Sequence, residues 1–279
     1  MSEVDIARRM LDQSSMLTNT DKLVVRKEGS FGFLIFDNPA RRNALTLDMW
    51  QGIPAIVEAF EADREVRVVI VAGAGDAAFV SGADISQFDA QRANPAAEER
   101  YSAITDAAMR ALEQLAKPSI AMIRGFCIGG GLAIALSCDL RITAEDGKFG
   151  IPAARLGLGY SFEGVRKLVD VCGPAYAKEI LFTARQFDAE DALRMGLVNM
   201  IVGSSELENA VRAYAEQIAH NAPLTVRASK LAVGEALKDP ERRDMDAVEE
   251  AIAACFDSAD FAEGRRAFAD KRRPRFQGR

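Results

Sequence analysis

The chain has 279 residues, 49% of them hydrophobic and 27% charged, which is enough to bury one large core with an appendage. A formal net charge of -6 argues against nucleic acid or an anionic membrane as partner, and no run reaches the roughly 18 apolar residues of a membrane span. One histidine, His220, leaves no material for a multi-histidine metal centre or a Ser-His-Asp triad.

Residues 1–20 mix Glu3, Asp5 and Asp12 with Arg8 and Arg9, unlike a secretory or transit sequence, and predict a short amphipathic extension. KLVVRKEGSFGFLIFDNP alternates around Glu28-Gly29-Ser30, which predicts a hairpin. Leu47, Trp50, Ile53, Val57 and Phe60 recur at helical spacing after Thr46, with Pro54 expected to bend that helix. RVVIVAGAG predicts a buried strand. AEERYSAITDAAMRALEQLA predicts a helix closed by Lys117-Pro118. SIAMIRG and LRITA are further strands; from Pro174 helices are expected to dominate, broken only by LVNMIV. This order is that of an α/β core over 21–221 and a helical C-terminal region over 222–279. Cys127, Cys138, Cys172 and Cys255 lie far apart without a CxxC pair, as expected of reduced thiols in a cytoplasmic protein.

Two glycine-rich segments follow buried strands: VVIVAGAGDAAFVSGADISQF, with Gly82-Ala83-Asp84, and AMIRGFCIGGGLAIAL, with Gly129, Gly130 and Gly131. Each glycine in a helix costs about 1 kcal/mol against alanine, so three at a helix mouth need a reason. Taken singly, each segment reads as a turn that packs a helix closely on a sheet. Taken together, they can present two backbone N–H groups to one oxygen, the second at the positive end of a helix. No GxGxxG follows the first strand, so a dinucleotide fold is not indicated.

The ordered motifs FDNPARRNALTLDMW, VIVAGAGDAAFVSGADI, KPSIAMIRGFCIGGGLAIALSCDLRITAEDGKFGIPAARLGL, KEILFTARQFDAEDALRMGLVNMIV and FAEGRRAFADKRRPRF closely resemble the enoyl-CoA hydratase/isomerase family, the crotonases. The resemblance spans about Lys22 to Phe276. It implies a spiral of ββα units with a helical trimerisation region, assembled as a homotrimer or dimer of trimers. It also implies an acyl-CoA substrate whose thioester oxygen is held by the N–H groups of Ala83 and Gly130, with no cofactor beyond the CoA of the substrate.

The family pattern breaks at two places. Where the hydratases carry two catalytic glutamates, this chain has Ala133 and, in FGIPAARLG, Ala153. Adding water across a double bond requires activation of water and protonation of carbon, which two alanines cannot supply. In the following RLGLGYSFEGVRKL, Tyr160 is an active-site hydroxyl or a core aromatic, and Glu163 a relocated acid or a solvated carboxylate in a first helical turn. The tyrosine of LGxxY is similar to one in methylmalonyl-CoA decarboxylase, a crotonase relative. Decarboxylation forms the thioester enolate without a base, so a C–C lyase is the leading reading; the others are a hydratase or hydrolase using Glu163 or Tyr160, and a non-catalytic CoA-ester-binding protein. By the same resemblance Arg41, Ala83, Asp84, Ile85 and Lys271 are expected at the CoA, with Arg42 a weaker candidate. Asp84 is expected to hold its loop through side-chain-to-backbone bonds. His220 is expected to be structural.

Overall fold

The computed structural model describes residues 17–87 and 94–279, so the expectation for the N-terminal extension lies, up to residue 16, outside the described residues. Strands β1 (Leu23–Glu28) and β2 (Phe31–Phe36) form the hairpin, with Gly29 at φ +56° in its two-residue turn. β2 then pairs in parallel with β3 (Val68–Gly73), and β5 (Ser119–Ile123), β7 (Leu140–Ala144) and β9 (Met200–Val202) extend the sheet in the order β1-β2-β3-β5-β7-β9. A second, parallel sheet has three short strands, β4 (Ala78–Val80), β6 (Phe126–Ile128) and β8 (Lys148–Gly150).

A strand of the large sheet, a strand of the small one and a helix recur in that order. The helices are α1 (Leu47–Ala62) after the hairpin, α2 (Pro95–Gln114) after β3–β4, α3 (Gly130–Ser137) after β5–β6, and α4 (Phe162–Thr183) after β7–β8. This is the expected spiral of ββα units. α1 starts where the Thr46 hydroxyl accepts the Met49 N–H and continues through Pro54. The helical stretch expected from Pro174 begins earlier, at Phe162, because Gly173 (φ +74°, ψ 167°) joins two helical segments across a kink.

Alternation along β3 puts Val69 and Val71 into a core with Leu34, Phe36, Ala121 and Ile123 that α1 to α4 cover. Val68 and Ile70 face the other way, with Phe33, Ile120 and Ile142, against α6 (Leu207–Ala219) through Leu207, Val211 and Ala215. The central strands are buried on both faces, so VVIVA reads as an unbroken apolar run. Beyond α5 (Ala189–Arg194) and α6, the chain ends in α7 (Pro223–Ala236), α8 (Met245–Phe256) and α9 (Ala259–Ala269). The last residues fold back: the Arg67 guanidinium donates to the Phe276 carbonyl at 2.6 Å, and the buried Asp260 carboxylate accepts the Gln277 and Gly278 N–H groups at 2.7 Å each. Among the described residues no helix is long and apolar enough to cross a membrane. All four cysteines are free, and Cys127, Cys138 and Cys172 are buried.

One buried side chain fixes the connection between hairpin and core. Arg42 and Asn43 both lie in the left-handed region (φ +51° and +56°), a conformation asparagine tolerates well. The Asn43 amide, without solvent exposure, donates to the Ala74 and Ala78 carbonyls at 2.9 and 2.8 Å and accepts the Asn38 N–H at 3.0 Å. Asn43→Ala removes the partner of three backbone groups at once, two of them buried and the Ala74 carbonyl partly so. It should lower unfolding free energy by about 3 kcal/mol, read as a lower urea midpoint at unchanged slope; a midpoint within error of the parent would contradict this account.

Candidate active site

Two strand ends meet where the glycine-rich segments lie. After β4, the Leu45 N–H donates to the Gly82 carbonyl at 2.8 Å and the Asp84 N–H donates to the Leu45 carbonyl at 2.9 Å. These bonds make Leu45 and Ala83 a parallel bridge pair. Such a bridge uses the groups of Gly82 and Asp84, so the N–H of Ala83 between them points to the opposite side. After β6, the Gly129 N–H donates to the Gly150 carbonyl at 2.8 Å, and Gly130 opens α3 as its first residue. A first-turn N–H has no partner within its own helix. Among the described residues neither the Ala83 nor the Gly130 N–H has a hydrogen-bond acceptor.

The three glycines answer to three different constraints. Gly129 adopts φ +54° and ψ -114°, outside the reach of ordinary side chains, and a Cβ there would lie 3.9 Å from Gly82 Cα, which measures how closely the two loops approach. A Cβ on Gly131 would fall 2.1 Å from the Val80 carbonyl oxygen, so only glycine lets α3 lie on β4. A Cβ on Gly130 would stand 3.1 Å from Trp50 Cζ2 and 3.3 Å from Leu45 Cδ1, so these two side chains wall the helix mouth. Leu45 and Trp50 are positioning residues that the sequence reading did not single out. Their only signal there was Trp50's place on the apolar stripe of α1.

Asp84 is 7% exposed and accepts from the Ser86 hydroxyl at 2.7 Å, the Ser86 N–H at 3.1 Å and the Arg41 guanidinium at 3.4 Å. Burial pushes its carboxyl up, but the Ser86 hydrogen bonds and the Arg41 charge outweigh it and hold the group below its ordinary value. It is therefore an anion that ties down the loop. Arg41 thus joins the loop, while Ile85 next to it is 64% exposed. Arg42 stacks on the Phe126 ring at 4.7 Å. Lys271 lies past α9, exposed at φ +52°, and makes no hydrogen bond or ion pair to this loop among the described residues.

Ala133 lies buried on α3, and Ala153, in the 3-10 turn Pro152–Leu156, packs against the same apolar core. Tyr160 packs there too, its ring lying so close over Gly164 that a Cβ would come within 2.6 Å of Cε1. Burial pushes its phenol up to about 12, so it stays protonated and can donate a hydrogen bond but cannot act as a base near neutral pH. Glu163 stands in the first turn of α4 with its side chain 55% exposed and pairs at 3.2 Å with Arg166, which also binds Asp170 at 3.0 Å. His220 closes α6, its exposed ring Nδ1 2.6 Å from the Glu216 carbonyl oxygen. Among the described residues there is no group of histidine, cysteine and carboxylate side chains suited to a metal ion.

Comparison with known proteins identifies the family of this fold. Residues 26–279 match a family model described as Enoyl-CoA hydratase/isomerase. The chain is 36% identical to a short-chain-enoyl-CoA hydratase of Clostridium acetobutylicum, over 91% of this chain and 96% of that one. It is also 36% identical to a crotonyl-CoA hydratase of Syntrophomonas wolfei, over 92% of this chain and 98% of that one. A crystal structure described as an enoyl-CoA hydratase/carnithine racemase from Magnetospirillum magneticum superposes with TM-score 0.90 at 36% identity, covering 96% of this chain and 100% of that one.

The geometry at the helix mouth separates two substitutions at one position. Proline suits the first position of a helix but has no N–H, so Gly130→Pro should lower turnover by ~10²–10³ in a protein that stays folded by circular dichroism. Gly130→Ala keeps the donor and crowds the Trp50 and Leu45 side chains, and should retain most of the activity. Equal losses in the two variants, or none in either, would show that this N–H does not serve the reaction.

Proposed function

The chain belongs to the enoyl-CoA hydratase/isomerase family, and we propose that it acts on an acyl-CoA thioester through an enolate whose oxygen is held by the N–H groups of Ala83 and Gly130, with C–C cleavage by loss of CO2 as its reaction. The reading rests on one observation: side chains at the two positions that carry the hydratases' acid and base are the methyls of Ala133 and Ala153. In a malonyl-type thioester the electron pair of the bond between the α-carbon and its carboxylate moves toward the thioester, CO2 leaves, and negative charge develops on the thioester oxygen. Two preorganised donors stabilise that charge by ~3–4 kcal/mol each, and the α-carbon then takes a proton from water. The protonated Tyr160 hydroxyl can orient the departing carboxylate. Arg41, fixed beside Asp84 and Ser86, offers a cation to the CoA phosphates, and Lys271 a second one from the C-terminal region.

A hydratase is the second reading, since the two curated relatives described above are named hydratases. It would need Glu163 or Tyr160 to activate water. The exposure of Glu163 and its pairing with Arg166 weigh against that role. Crotonyl-CoA hydration should therefore be negligible, while malonyl-CoA or methylmalonyl-CoA should release CO2 at a measurable rate, read by mass spectrometry of the products. Tyr160→Phe should slow that release and Glu163→Gln should leave it nearly unchanged. Brisk hydration of crotonyl-CoA, abolished by Glu163→Gln, would reverse the assignment.

The same reading makes the C-terminal region, 222–279, the contact between copies of the chain in a homotrimer or dimer of trimers. An apolar groove of ≈ 620 Å³ is lined there by Leu224, Ala228, Ile252, Phe256 and Phe261, with Phe268 largely exposed at it. A contiguous exposed apolar surface of this kind calls for a cover. The full-length protein should sediment as a trimer or larger at micromolar concentration, and deletion of Pro223–Arg279 should give a monomer or an aggregate. A full-length monomer would refute this assembly.

A further inference from the structure

The helix that opens at Gly130 ends at two buried cations. α3 has eight residues, so its ends are about 12 Å apart. At its C-terminal end the Arg141 guanidinium, only 6% exposed, donates to the Cys138 carbonyl at 2.8 Å, to the Ala135 carbonyl at 3.4 Å and to the Leu197 carbonyl at 2.8 Å. Among the described residues it makes no ion pair. Neighbouring Asp139 is engaged elsewhere, by Lys230 at 2.7 Å and by the Ser119 N–H at 2.7 Å. The second cation, Lys167 (9% exposed), reaches the same helix end from α4. Its ammonium donates to the Ser137 hydroxyl at 3.1 Å, and that hydroxyl donates to the Ala133 carbonyl at 2.9 Å. Lys167 also pairs at 2.8 Å with Glu113, a carboxylate 44% exposed and so screened by solvent.

A short helix is a poor source of positive potential, because the negative partial charge at its far end lies close enough to cancel much of the positive end. Here that far end is capped by positive charge in a low-dielectric setting. Capping orphan carbonyls does not by itself require an unpaired guanidinium, whose burial costs several kcal/mol.

We propose that Arg141 and Lys167 are positioning residues for the oxyanion: they act through α3, raising the positive potential at the Gly130 N–H and so polarising the thioester carbonyl bound there. The inference rests on the reading that this N–H receives the thioester oxygen. A unit charge about 15 Å away, at an effective dielectric constant of about 20, changes a rate by about sixfold. Lys167, offset by Glu113, should contribute nearer twofold.

Infrared spectroscopy of full-length protein with butyryl-CoA labelled with ¹³C at the thioester carbonyl tests this directly. In the parent the bound carbonyl stretch should lie below its value in solution, and Gly130→Pro should reverse a large part of that shift, leaving the part due to the Ala83 N–H. Arg141→Met and Lys167→Met should each move the band part of the way back, Arg141→Met further, with the affinity for free CoA unchanged. Arg141→Lys and Lys167→Arg keep the charge and should keep the band, although Arg141→Lys loses the forked hydrogen bonding that a purely structural role would need. Should Arg141→Met not fold, Lys167→Met decides alone. An unshifted band in the folded Met variants, or Arg141→Lys displacing it as far as Arg141→Met, would overturn the inference. A parent band at the solution frequency would instead overturn the oxyanion reading beneath it.

Discussion

The site depends on a backbone bridge between Leu45 and Ala83. Those two hydrogen bonds reach across more than thirty residues of sequence and turn the Ala83 N–H outward. No side chain could substitute for them, because what is being aimed is a peptide group. The Asn43 amide stabilises the same junction from beneath by linking the loop before Leu45 to the carbonyls on either side of the β3–β4 turn. Asp84 and Ser86 fasten its outer edge. The loop is thus held by polar contacts on two sides, from the buried Asn43 amide and from the Asp84 carboxylate, which is the preorganisation the proposed electrostatic role requires.

α3 supplies the opposing donor under a different constraint. Its position is set by contact distance: with Gly131 against the Val80 carbonyl, the helix sits directly on β4, and its first N–H is brought beside the loop that β4 feeds. The helix interior is wholly apolar, so nothing on it other than its ends can interact with charge. That division explains how a segment without a polar catalytic side chain can lie at the centre of a reaction. On the proposed reading the chemistry uses the peptide dipoles, and the apolar side chains serve to fix their direction.

This chain shares the scaffold of the enoyl-CoA hydratase/isomerase family, and its sequence departs from the family pattern at Ala133 and Ala153. On the proposed reading the methyls of Ala133 and Ala153 would form the pocket wall where two carboxylates would stand, and Tyr160, packed against the same core, is held neutral by burial. Such a wall is hostile to a charged carboxylate and indifferent to a neutral product. On the proposed reading, that difference in solvation favours loss of the carboxylate as neutral CO2, with the charge left behind taken up at the thioester oxygen, over a reaction in which water must be activated.

Much of this was legible in the amino-acid order. Apolar runs and alternation marked the hairpin, the central strands and most helices, because those patterns follow directly from which faces are buried. The glycine triplet after SIAMIRGFCI and the GAD after VVIVAGAGDAAFVS marked the two strand ends that the fold brings together, and the two alanines were visible as departures from the family pattern. The tertiary structure alone decided the rest. β4, β6 and β8 are only three residues long, too short for periodicity, and form only because neighbouring chain segments complete them. The tertiary structure likewise joined the helix that opens at Phe162 to the helical stretch from Pro174, across the kink at Gly173. The surface pairing of Glu163 with Arg166, the enclosure of Tyr160 and the cations at the end of α3 are facts of placement. Local sequence specifies which backbone groups can be presented, whereas the direction in which they point, and the charges that stand behind them, are set by contacts between residues far apart in the chain.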